Sequence, residues 1–343
     1  MASVTSANLT EDDLWEIRMG AAVAGFGCGI LMFLACLFHG LFMFMFCTNE
    51  KLRRKETWML LGWSYFDFWF GLANGTWSVN HCYMLLSDTI LDTVPVWVCM
   101  WRGMVPWIVM AAIGDVAFSL LTAIDRFIAI FWFQTYYQMS DAFAKYSTAG
   151  LVIGTKVLVL AMTIPSYVDT GHLFKLIPAN CHIQDTFRLD MLNLNYVIVM
   201  TINTMSQVGY FVDIVALRCK TYSFTSDATK ANAYKMQVKT TKMLLLVNLV
   251  TFLTVFLPTF ILLIIKSQGY RMGEFAYGWT YTIFGINYCV NPMIFMFKQR
   301  EAREILGGYY GSICKLLGIQ VKSTQRIVPS SHIDKTNTLA TVN

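Results

Sequence analysis

Residues Val94–Trp132 read VPVWVCMWRGMVPWIVMAAIGDVAFSLLTAIDRFIAIFW, and only Arg102, Asp115, Asp125 and Arg126 among them are charged. A hydrocarbon core about 30 Å thick takes about 20 residues of α-helix, so this run predicts one membrane-crossing helix with overhang. A lone acid deep in such a run, and an acid–arginine pair near its end, are costly in hydrocarbon and therefore point to function.

Six further apolar runs flank it: Ala21 to Phe46, Trp58 to Leu86, Ala144 to Tyr167, Met191 to Leu217, Lys242 to Ile265 and Phe275 to Phe297. Most are rich in Leu, Phe, Met and Ala and lack the two-residue alternation of a barrel strand, which predicts helices. The 343 residues are 56% hydrophobic and 14% charged, with a mean hydropathy of +0.51. Soluble domains carry about 25% charged residues, so a single water-soluble globule is excluded and no length is left for a separate catalytic domain. The predicted fold class is an all-α membrane protein, a seven-transmembrane helix bundle. Its parts are a short extracellular N-terminus (1–20), the bundle (21–297), an amphipathic juxtamembrane helix (298–318) and a cytoplasmic tail (319–343).

Of the 26 Lys and Arg residues, nineteen fall on one set of loops and the tail, six on the opposite side, and Lys156 inside a span. The positive-inside rule then predicts a multi-pass protein of the cell membrane with its N-terminus outside and its C-terminus in the cytoplasm. Because these cations are spread along one membrane face, the +5 net charge does not imply nucleic-acid binding. The first eighteen residues lack a basic region and a cleavage site, which predicts an uncleaved first span. Asn8-Leu9-Thr10 is a glycosylation acceptor on the predicted outer side, whereas Asn74-Gly75-Thr76 lies within a span. Three cysteines fall on the outer side. Cys99 opens the third span and Cys181 lies in the longest outer loop, so a bridge between them would pin that loop over the bundle, with Cys82 as the rival partner. Cys314 follows a basic amphipathic stretch and is the palmitoylation candidate.

Two motifs carry a family resemblance. The third span ends in Asp125-Arg126-Phe127, and the seventh in Asn291-Pro292-Met293-Ile294-Phe295 ahead of a basic amphipathic helix. With Asp67 in the second span and Pro258 in the sixth, the chain from Ala21 to Leu306 resembles the rhodopsin-like seven-helix G-protein-coupled receptors. Within them it is most similar to the serpentine chemoreceptors of nematodes, of the srsx type. The resemblance implies a heterotrimeric G protein as partner, with Arg126 held by Asp125 at rest and released when the sixth helix swings outward.

Several positions depart from that pattern. Phe256 stands where tryptophan is usual and Phe295 where tyrosine is usual, so the switch is expected to run more on packing. Lys235, Lys239 and Lys242 occupy the end of the sixth span where an acid often completes a second lock. Pro258 removes a backbone hydrogen bond and predicts a kink. Asp67 and Asp115 are acids deep in spans, and Asn287 and Asn291 sit one turn apart on the seventh. The resemblance implies a bound sodium ion among them; a shared proton or a pairing with Lys156 are the alternatives.

About five turns outward from Arg126 lies Ile108, where amine receptors carry an aspartate, so a biogenic amine is not expected. The facing candidates are Trp77, His81, Met104, Ile108, Tyr196, Phe260, Tyr277 and Tyr281, an apolar and aromatic set suited to a small, weakly polar extracellular ligand. The net-acidic outer surface leaves a short peptide as the alternative. A proton-coupled transporter or channel would also use Asp67, Asp115, Lys156 and Asp213, but no internal repeat accompanies them. No nucleophile, zinc or protease motif is present, which predicts a non-enzyme with no further cofactor.

Overall fold

The computed structural model describes residues 10–102, 105–181, 183–219, 228–267 and 273–316. Asn8, Met104 and the tail 319–343 lie outside the described residues, as do the side chains of Tyr277 and Cys314. Among the described residues the architecture is all-α, with seven long helical rods. Five are long and apolar enough to cross a membrane: α1 (Glu11–Thr48), α3 (Val105–Phe131), α4 (Asp141–Val168), α5 (Leu189–Cys219) and α6 (Ala228–Thr251 continuing to Leu257–Ser267). The other two, α2 (Lys55–Leu86) and α7 (Glu274–Lys298), are comparably long and bury Asp67, Asn74, Asn287 and Asn291. A further helix, α8, covers Arg300–Leu316.

α1 begins ten residues before the first apolar run. Thr10 caps it through a reciprocal pair of hydrogen bonds, Asp13 N to Thr10 Oγ1 at 3.2 Å and Thr10 N to Asp13 Oδ2 at 3.0 Å. The run quoted above is not one rod. Its first part forms a strand, β1 (Thr93–Pro95), and a short helix (Val96–Arg102) before α3 begins. β1 pairs antiparallel with β2 (Leu176–Pro178), Val94 opposite Ile177, and this two-stranded ribbon was not foreseen in the sequence. Pro95 and Pro178 both lie in it, which fits a two-stranded ribbon in which every strand is an edge.

α3 is the central rod and packs against α2, α4, α5 and α6, while α1 packs between α2 and α7. Two glycines set the α2–α3 contact. An ideal Cβ on Gly114 would lie 2.3 Å from the Phe66 ring, and one on Gly62 would lie 2.3 Å from the Phe118 ring. Each helix thus seats a phenylalanine of the other over a missing side chain, with the two rings 5.7 Å apart.

Burial is inverted relative to a soluble protein. Asp67, Asn74, Asn287 and Asn291 are fully buried, while Phe26, Ile30, Phe33 and Leu37 on α1 and Ile153, Val157, Leu160 and Ile164 on α4 are exposed. Each set recurs at helical spacing and forms an apolar outer stripe. Large exposed apolar stripes around a polar interior suit a hydrocarbon solvent, as in a multi-pass membrane protein.

Pro258 lies just beyond a π turn, Phe252–Phe256, in α6. A proline blocks the ordinary bond to the residue four positions earlier, and an expanded turn accommodates the loss.

Candidate functional site

Three groups of polar or aromatic residues lie along the bundle, and the most completely bonded surrounds Arg126. Arg126 has no solvent exposure, and its guanidinium is shared among three segments. Nε donates to Asp125 Oδ2 at 2.9 Å, and a terminal nitrogen donates to the same carboxylate. Another nitrogen donates to Gln237 Oε1 on α6 at 2.8 Å. The Tyr136 hydroxyl, on the short helix Phe133–Gln138 after α3, accepts from Arg126 at 2.8 Å and lies 3.3 Å from Asp125. Burial pushes the Tyr136 hydroxyl above the ordinary tyrosine range, so it remains a neutral hydroxyl able to accept from Arg126 and donate to Asp125.

Behind Gln237 stands α2. Gln237 Nε2 donates to Glu56 Oε1 at 2.6 Å, and Lys55 Nζ donates to the Tyr136 carbonyl at 2.5 Å while lying 4.0 Å above its ring. A buried guanidinium is tolerated only when paired and hydrogen-bonded, and here α2, α3, α6 and the Tyr136 helix satisfy it together. Gln237 supplies the α6 contact that the lysine-rich sequence left without an acid. A small cleft of about 70 Å³ opens beside this latch, lined by Met59, Leu121, Ile124, Ile128 and Phe143 as well as Asp125 and Tyr136. Phe127 is outside the latch and packs on Phe131 and Trp132, at 4.4 and 5.5 Å.

The second group is deeper. Asp115 on α3 accepts from Trp63 Nε1 and lies 3.5 Å from the Tyr288 hydroxyl. Asp115 acts electrostatically on Asp67, and His39 Nε2 approaches Asp67 Oδ2 at 3.4 Å while lying 3.0 Å from the Tyr288 carbonyl. Asn287 Oδ1 accepts from Thr251 on α6 at 3.0 Å. Both oxygens of Asp67 and both polar atoms of Asn291 are buried with no hydrogen-bond partner among the described residues. Facing carboxyls in so dry a place need a proton or a cation between them. Lys156 is not part of this group; it is exposed on α4, 5.2 Å from the Tyr65 ring. Phe295 is fully buried and packs against Phe42 and Trp63, both rings about 6 Å away.

The third group lies at the opposite end from Arg126. Cys99 and Cys181 are joined in a disulfide, while Cys82 is free. Beside Cys181, the Asn180 carbonyl accepts from Trp77 Nε1 at 3.3 Å. Trp77 in turn contacts His81, with centroids 4.0 Å apart, and Tyr281, 5.0 Å apart. The disulfide-bearing segment therefore sits over an aromatic trio from α2 and α7. Ile108 packs lower, against a cluster that includes Phe70 and Tyr288. Phe260 is exposed and stacks on Phe256 at 6.1 Å, so it does not join the trio, and Tyr196 is half-buried on α5.

Sequence reasoning brought Asp125 and Arg126 together but missed Tyr136, Gln237, Glu56, His39, Trp63 and Tyr288. His39 was visible as an imidazole inside an apolar run; the others had no local signature. Compared with known protein families and with curated proteins, the sequence matches none.

Proposed function

We propose that the chain is a seven-span receptor of the rhodopsin-like, G-protein-coupled type, with its N-terminus outside the cell and the Arg126 end facing the cytoplasm. It detects a small, non-amine extracellular chemical at the Trp77, His81 and Tyr281 end. It transmits by an outward swing of α6 that withdraws Gln237 from Arg126 and opens a crevice for a heterotrimeric G protein. The single observation that carries this reading is the fully buried Arg126, tied by its side chain to α6 through one neutral residue. An arginine bonded to three segments resists separation, yet its α6 bond can break without stranding a charge on α6. The irregular turn Phe252–Phe256 ahead of Pro258 supplies a place for α6 to bend. A bound sodium ion would be held by Asp67, Asp115 and Asn291 and would neutralise a carboxylate there. The bridge over the aromatic trio supports a ligand entering from that end, and a short peptide is the alternative occupant.

The test is Arg126→Ala in the full chain, expressed at the cell surface and read for G-protein activation in a ligand screen. Loss of signalling with intact surface expression is expected; unchanged signalling refutes the reading. The buried sequence His39, Asp67, Asp115 favours one second reading, a proton-coupled transporter. Proton flux in vesicles that His39→Ala abolishes would decide for it.

A further inference from the structure

Asp213 is a buried acid that belongs neither to the latch nor to the group around Asp67 and Asp115. Asp213 on α5 has no solvent exposure, and both of its carboxylate oxygens lack a hydrogen-bond partner among the described residues. A carboxylate in that state is expensive to keep in an apolar interior, so its retention calls for a partner in another arrangement of the helices.

The register of α3 against α5 names that partner. Ser119 and Ser206 are hydrogen-bonded at 2.6 Å, which fixes one level of the two rods. An ideal Cβ on Gly209 would lie 3.1 Å from Ala123 Cβ, which fixes a second level and shows that the rods run parallel. Seven residues beyond Ser119 stands Arg126, and seven beyond Ser206 stands Asp213. Two turns advance each rod by about 10.5 Å and return to nearly the same face. Arg126 and Asp213 therefore face each other at one depth, and Arg126 acts electrostatically on the Asp213 carboxylate. In the structure the guanidinium spends its donors on Asp125, Tyr136 and Gln237 instead.

We infer that Asp213 is the second counter-ion of Arg126, the positioning residue that takes up the guanidinium when α6 withdraws Gln237. This rests on the proposed switch at Arg126. In the closed arrangement Asp213 is unsatisfied and Arg126 is satisfied; in the open one, a donor freed from Gln237 pairs with a carboxylate already in place. Asp213 thus favours the open arrangement and supplies the pairing energy that α6 no longer provides.

The experiment measures the α6 displacement directly, without a G protein or a ligand. Spin labels at Tyr146→Cys on α4 and Lys239→Cys on α6, with Cys47, Cys219 and Cys314 replaced by Ser, report the distance in full-length protein in nanodiscs. In a Gln237→Ala background, which frees Arg126 from α6, Asp213→Asn and Asp213→Leu should each lower the open fraction at least fivefold. Asp213→Glu should hold it within twofold of the parent. An open fraction unmoved by Asn and Leu overturns the inference while leaving the receptor reading intact, because that reading stands or falls on Arg126→Ala signalling. Loss of folding in both Asn and Leu variants also overturns it, since Asp213 would then be a residue that the closed fold needs.

Discussion

Gln237→Ala isolates the contact on which the proposed switch depends. The substitution removes two hydrogen bonds, one from Arg126 at 2.8 Å and one to Glu56 at 2.6 Å, and both involve a charged partner. Hydrogen bonds to charged groups are worth about 1.5–3 kcal/mol each when well buried. Gln237 is only half-buried, and Arg126 keeps Asp125 and Tyr136, so solvent and the remaining partners take back part of that loss. The net cost to the closed arrangement is about 1–2 kcal/mol, which shifts the closed–open ratio by about 5- to 30-fold at 1.4 kcal/mol per factor of ten. The spin-label distance between α4 and α6 reads this shift directly, and ligand-free G-protein activation should rise with it. Gln237→Glu should not mimic the effect. It restores an acceptor for Arg126 but sets a like charge against Glu56. A distance distribution unchanged in Gln237→Ala would show that α6 is not held through Arg126.

Other predictions concern stability and ions. Gly114→Ala forces a Cβ to within 2.3 Å of the Phe66 ring and should cost about 1–3 kcal/mol, seen as a lower Tm in detergent that Phe66→Leu partly restores. Cys99→Ser opens a link across 82 residues, worth about 4.5 kcal/mol by loop entropy, and should lower Tm while leaving Cys181 reactive to a thiol probe. If the oxygens of Asp67 and Asn291 hold sodium, Tm should rise more in sodium chloride than in the chloride of a bulky organic cation, and Asp67→Asn should erase the difference. Equal curves for the two salts would argue for a proton between Asp67 and Asp115 instead. Tyr136→Phe removes the hydroxyl that touches both Arg126 and Asp125, and should raise the open fraction less than Gln237→Ala does, because it leaves the α6 contact in place.

The helix content was legible because hydrocarbon imposes a simple demand. Each crossing rod must be long and apolar, and that property is local to the sequence. The same rule explains where apolarity alone gave an incomplete reading. α2 and α7 pack buried polar residues into the interior and are not among the five helices whose length and apolarity alone mark a crossing. The Val94–Trp132 run reads as one rod because a β-ribbon residue such as Val94 and a helix residue such as Val109 are equally apolar. Only pairing with Leu176–Pro178 separates them.

Asp125, Arg126, Asp67 and Asn291 were identifiable one at a time, since a charge or amide in hydrocarbon is conspicuous by itself. The sequence therefore determined the helical class, the inverted distribution of polarity and the positions that carry chemistry. Tertiary structure alone decided their partners. Gln237 lies 111 residues from Arg126 and Glu56 lies 181 from Gln237, separations that no spacing rule connects. A hydrogen bond depends on where two rods meet and at what rotation, and those are set by packing details such as Phe66 over Gly114 and Phe118 over Gly62.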